Sequence, residues 1–238
     1  MILKNNITCK NCNTENALYE LICKNCKSYM RERIVNLDLW NILALLIENP
    51  SAAFKKIIQA EHKNFIVFLL FIIGLKILIN VMFVSLVTIN NSEAYYNFFL
   101  NYLYVTSAFI LILFLYSIVL KYISKYFTLK IRIKDTLAIT IYSLLPYVIG
   151  SLFFFPLELI VFGDSVFSLN PSPFILKPSF AYLLLVCESA LLLWSVLLSV
   201  KAFIVLSNNT IYGMTAGIVL HILMFVQFYF SSIILFNI

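Results

Sequence analysis

NFIVFLLFIIGLKILINVMFVSLVTI, residues 64–89, is the stretch that decides the fold class. It is long enough to cross a bilayer, for which about 20 residues suffice. No helical face of it is polar, so it does not suit the amphipathic shell of a soluble core. Its one charge, Lys76, stands near the middle, with Asn80 one turn further. Four more segments have the same character: 99–120, 136–160, 180–206 and 210–236. The chain is therefore expected to be an all-α polytopic membrane protein with five transmembrane helices.

The composition agrees with this expectation. The chain is 62% hydrophobic and 12% charged, with a mean hydropathy of +0.96. A soluble domain is about 45–50% apolar and about 25% charged, so most of this surface must meet lipid. The net charge of +6 is not gathered on one globular face: nine of the 17 Lys and Arg precede Asn64, and five lie between Lys121 and Lys134. That is the pattern of cytoplasmic loops rather than of a nucleic-acid interface. Residues 1–10 carry no apolar signal-peptide core, so the first span is expected to act as the insertion signal.

Loop charges set the orientation. Residues 90–98 hold no Lys or Arg, 121–135 hold five, and 161–179 hold Lys177 set against Asp164. Lys201 falls at the cytoplasmic end of the fourth span. The positive-inside rule then places the N-terminus in the cytoplasm and the C-terminus outside.

Three regions follow: a head over 1–33, interfacial helices over 34–63 and the transmembrane domain over 64–238. In the middle region, residues 37–47 are apolar nearly throughout, with Trp40 near the start, and Asn49-Pro50-Ser51 breaks the run. Ser51 is expected to cap a second helix. In that helix Phe54, Ile57 and Ile58 share a face, with Lys55, Lys56, Gln59 and Lys63 on or beside the polar side. Such a helix suits the headgroup layer, or else packing on protein. Lys130-Ile131-Arg132-Ile133-Lys134 alternates basic and apolar residues, either to attract anionic lipid or as an ordinary topology signal, the simpler reading.

In the head, Cys9-Lys10-Asn11-Cys12 and Cys23-Lys24-Asn25-Cys26 repeat one CxxC turn ten residues apart. Two such turns can close a tetrahedral Zn(Cys)4 site with no open position, which makes the metal structural. The residue after each second cysteine needs positive φ; Asn13 suits this and Lys27 suits it less. Disulfides are the competing reading, disfavoured by the reducing cytoplasm, and no thioredoxin-like unit surrounds either turn. A zinc-ribbon-like β-hairpin is expected, with Zn2+ supplying most of its folding free energy. Cys187, inside a span, is read as inert packing.

Ionisable groups in a bilayer are costly and suggest function. Here they are Lys76 in the first span, Glu188 in the fourth and His221 in the fifth; Glu158 stands near the outer end of its span, within reach of water. Lys76 and Glu188 are expected to pair across helices. The rival reading is a polar pathway for an ion or solute through Lys76, Glu188 and His221. No nucleophile–base set, phosphate loop or carboxylate pair stands out, so no enzyme is inferred.

TLAITIYSLLPYVIG at 136–150 adds a resemblance. Ala138, Tyr142, Ser143, Pro146 and Tyr147 resemble the third-span signature of the Yip1 family of five-span membrane proteins. Asn49-Pro50-Ser51-Ala52-Ala53-Phe54 is similar to an element before the first span of bacterial members. Residues 194–206 with Ile211-Tyr212-Gly213-Met214 resemble the fourth span and the tight turn into the fifth. The resemblance covers 37–236 and implies a prokaryotic relative, in which a zinc-ribbon head is a common attachment, seated in the cytoplasmic membrane. Eukaryotic relatives bind prenylated Rab GTPases in vesicle trafficking and carry Asp-Leu-Tyr-Gly-Pro before the first span. Asp38-Leu39-Trp40 matches only its opening and no Gly-Pro follows, which leaves a Rab partnership unsupported. The resemblance implies a non-enzymatic scaffold or membrane-organising role. Its partners would be the bilayer and a cytoplasmic protein at the head, with a homo-oligomer left open; the alternative function is a small permease or channel.

Overall fold

In a computed structural model the chain is described over residues 5–89 and 97–236. The hairpin expected in the head is present: β1 (Asn6–Thr8) pairs antiparallel with β2 (Glu15–Ala17), Ile7 facing Asn16. Ten α-helical segments follow among the described residues. They are α1 (Leu39–Glu48), α2 (Pro50–Gln59), α3 (Ile66–Ile89), α4 (Phe98–Tyr126), α5 (Ile133–Ser143), α6 (Leu145–Ile149), α7 (Phe155–Phe162), α8 (Pro173–Leu176), α9 (Pro178–Ser207) and α10 (Thr210–Phe236). Residues 90–96 lie outside the described residues.

Among the described residues five segments are long and apolar enough to cross a membrane: Ile66–Val87, Phe98–Tyr126, Leu145–Phe167, Pro178–Ser207 and Thr210–Phe236. The third begins nine residues later than the sequence suggests (145 − 136). Pro146 has no backbone N–H to continue the ladder. The preceding α5 buries Asp135, Thr136, Thr140 and Ser143, polar groups better satisfied in protein than in lipid. Beyond α6 the span passes through a π-helical turn, Gly150–Phe154, into α7, and ends in a 3-10 turn, Gly163–Phe167.

Asn49 joins α1 to α2. Its N–H ends α1 on Leu45 O at 2.7 Å, and its Oδ1 accepts from Ala52 N at 3.1 Å. The cap is thus Asn49 rather than Ser51, because Pro50 takes the first helical position, where a missing N–H has no consequence. Phe54, Ile57 and Ile58 are fully buried in the protein, while Trp40 on α1 is 79% exposed.

The chain divides into two compact units. One holds Met1–Val67, Leu113–Ser143 and Leu197–Val219; the other holds Phe68–Ile112, Leu144–Val196 and Leu220–Ile238. In the first, Gly213 and Gly217 of α10 let its backbone touch that of α9: a Cβ would fall 2.6 Å from Ile204 N and 2.7 Å from Val200 N, respectively. Small residues four apart permit this close approach. Tyr116 of α4 also donates to Ala216 O at 2.6 Å. In the second unit, Tyr102 donates to Phe71 O and Gln227 to Val105 O, both at 3.0 Å. These side chains join neighbouring helices through backbone carbonyls.

Candidate functional site

The head brings Cys9, Cys12, Cys23 and Cys26 together, all four Sγ atoms lying within 4.8 Å of one another. Cys9 Sγ lies 3.6 Å from Cys26 Sγ, and Cys12 Sγ 3.5 Å from Cys23 Sγ. A disulfide needs about 2.05 Å, so these are free thiols. Four sulfurs at about 2.3 Å from a central zinc would stand roughly 3.8 Å apart, which these spacings nearly reproduce. The two turns are built alike: Asn13 N bonds Cys9 O and Lys27 N bonds Cys23 O, with φ of 55° and 59°. Lys27 therefore adopts the left-handed conformation despite its poorer suitability. Around the sulfurs, Thr14 Oγ1 lies 3.2 Å from Cys12 Sγ and Ser28 Oγ 3.4 Å from Cys9 Sγ. Hydrogen bonding to Thr14 pulls the Cys12 thiol down to about 5, and Ser28 lowers that of Cys9. At Cys12 and Cys9 this favours the thiolate, the form that binds a metal, whereas contacts with Cys12 and Cys9 and burial raise the Cys26 thiol.

The head is fastened to the rest of its unit. Asn5 Nδ2 donates to Leu206 O at 2.9 Å, Arg31 Nη2 to Gln59 O at 2.8 Å, and the Tyr19 ring stacks on the Arg132 guanidinium at 3.9 Å. Arg132 belongs to a charge cluster not expected from the sequence. Its Nε lies 2.6 Å from Asp135 Oδ2, and Lys63 Nζ lies 3.1 Å from Asp135 Oδ1. Lys63 also donates to the carbonyls of Ile57, Ile58 and Ala60, closing the end of α2. Burial lowers the Lys63 pKa, with Asp135 opposing the shift. The available signal was an Asp at the start of a helix, directly after a basic run.

In the second unit Lys76 Nζ reaches Glu188 Oε1 at 2.7 Å, with the Lys76 side chain 3% exposed. Gly150 makes room for the pair, since a Cβ there would stand 3.1 Å from Lys76 Cε. His221 is elsewhere: its Nε2 lies 3.1 Å from Ser195 Oγ, and it does not line the cavity beside the pair. That cavity, about 500 Å³, is lined by Lys76, Asn80, Tyr147, Glu158 and Glu188 among many apolar groups. Glu158, expected within reach of water, is largely covered by protein and opens onto this cavity. It is 8% exposed, and its Oε2 has no hydrogen-bond partner. A π-helical turn, Gly150–Phe154, lies just before it and shifts the simple helical count on which that expectation rested.

A family model described as the Yip1 domain matches residues 44–235, most of the chain. The chain belongs to the Yip1 family. No curated protein and no solved structure matched it. Yip1 proteins are non-enzymatic integral membrane proteins. Of the motif residues of this Yip1 chain, Ala138 and Tyr142 are fully buried, Tyr142 donating to Asn64 O at 2.7 Å, while Pro146 and Tyr147 line the cavity beside Lys76. The cysteine head precedes the matched region.

Proposed function

We propose that this Yip1 protein is a membrane scaffold whose head, folded around one structural zinc held by Cys9, Cys12, Cys23 and Cys26, presents a binding surface to a cytoplasmic protein. The observation that carries this reading is the fastening of the head through Asn5, Arg31 and Tyr19. A recruiting module held in one orientation loses little entropy when its partner docks. On that head Ile22 and Tyr29 form a bridged pair and stay exposed, Tyr29 by 73%. Exposed Tyr beside an aliphatic residue suits a protein interface.

The test is affinity purification from native membranes of the full chain against its Tyr29→Ser and Ile22→Ser variants. A partner retained by the parent and lost from both variants supports the scaffold. Equal recovery from all three overturns it. The N-terminus is assigned to the cytoplasm and the C-terminus to the outside. Cysteine labelling from outside should reach position 168 and not position 128; Asn91, the other outer position, lies outside the described residues. The permease reading draws support from the cavity beside Lys76, but His221 does not line that cavity. Ion or proton flux through reconstituted protein, abolished by Lys76→Met, would replace the scaffold with the permease.

A further inference from the structure

The second unit contains a cavity whose charge balance is incomplete. Its wall offers one ammonium, Lys76, against two carboxylates, Glu188 and Glu158. Glu188 engages the ammonium at 2.7 Å. Glu158 Oε2 is buried without a partner, in a residue more than nine-tenths buried. A buried carboxyl oxygen left without a donor is costly, and Lys76, the one ammonium in the wall, is already engaged by Glu188, so the cavity has room for a further donor at Glu158 Oε2.

The surroundings fit a ligand. Phe83, Val84, Leu184, Phe225 and Phe228 give the cavity an apolar wall, and about 500 Å³ falls within the usual size of small-molecule sites. The polar groups are few, as in sites where an apolar body is oriented by one head. The π-helical turn at Gly150–Phe154 stands one turn ahead of Glu158, and such turns within α-helices occur frequently at functional sites.

We infer that this cavity binds a single-chain amphiphile with a primary ammonium head, which bridges Glu158 and Glu188 while its tail lies along Phe83, Leu184, Phe225 and Phe228. Binding completes the charge balance at two positive against two negative. It leaves the Lys76–Glu188 pair in place. The site is independent of the head and of any partner there.

The test uses the full zinc-loaded chain in a neutral maltoside detergent, with dodecylamine, dodecanol and dodecanoate as probes of equal tail length. Native mass spectrometry should count one bound dodecylamine per chain, and thermal unfolding should shift upward with that probe alone. Glu158→Gln keeps the shape and removes the charge. It should raise the melting temperature of the ligand-free chain and weaken dodecylamine about tenfold, the loss of one charge-assisted contact. Ala181→Phe fills the cavity and should abolish binding with Glu158 intact. The comparison of probes on the unaltered chain decides even if both variants misfold. Dodecanoate or dodecanol binding as well as the amine overturns the inference, as does Glu158→Gln holding dodecylamine within about twofold of the parent.

Discussion

Two buried charge clusters, one in each compact unit, are made of the same groups and differ in how their charges sum. Around Asp135 two cations, Lys63 and Arg132, share one carboxylate, and the surplus positive charge is spread over helix-end carbonyls and the Tyr19 ring. Around Lys76 one ammonium meets Glu188, while Glu158 lines the same cavity with its Oε2 lacking a donor. The first cluster is closed by its own chain and holds α2, α5 and the head together. The second remains open toward a cavity. A surplus cation can use the backbone's abundant carbonyls, whereas a surplus carboxylate in a helical bundle finds every mid-helix N–H already committed. Buried charge alone therefore does not separate structural from binding roles.

Removal of the proposed zinc is expected to be the largest perturbation. Stripping the head with a chelator should abolish its protected amides and, through the lost Tyr19–Arg132 stack, raise exchange around Ile57–Ala60 and Asp135. Amides near Lys76 and Glu188 should be unchanged. Hydrogen exchange that is uniform across both units, or unaltered in the head, would break the contrast.

Next in size, Asp135→Asn removes the minority charge of the first cluster and leaves two cations without a carboxylate. The expected cost is about 3–5 kcal/mol, as for a broken buried pair, measured by unfolding in detergent. A loss below about 1 kcal/mol, the level of an exposed pair, would mean that the carbonyls alone suffice.

The second cluster should respond to the same rule with the signs exchanged. Lys76→Met strands two carboxylates and should cost about 3 kcal/mol. Glu188→Gln should cost less, because Lys76 keeps Glu158 within the same cavity wall. The double variant should recover part of the summed loss, since desolvation and attraction disappear together. Additive losses, or Glu188→Gln proving the worse single change, would refute the pairing rule.

The smallest effect tests whether contact or general field matters. Lys134 stands beside Asp135 in the chain but is exposed and outside the cluster. Lys134→Gln should change stability by less than about 0.5 kcal/mol, as surface substitutions usually do. A larger loss would make loop charge, rather than Asp135's own partners, the stabilising agent.

The sequence by itself determined the membrane architecture, the Yip1 membership and the four-cysteine head. Five apolar runs can satisfy their backbone in lipid only as helices, and a repeated CxxC turn brings its thiols together by local geometry. Local rules faltered where a neighbour in sequence competes: Pro50 moved the cap from Ser51 to Asn49, and Pro146 with the buried polar face of α5 moved the third span. Tertiary structure decided how the charges meet, although the presence of Lys76 and Glu188 inside spans already pointed to that one pair. Lys76 and Glu188 are separated by more than a hundred residues, so their approach depends on which helices touch and on the space left by Gly150. The joining of Lys63 to Asp135 and the concealment of Glu158 behind the π-helical turn likewise depend on packing. Side-chain spacing along one strand of sequence contains none of that information, because a partner for a buried charge is chosen in three dimensions by the cost of leaving it alone.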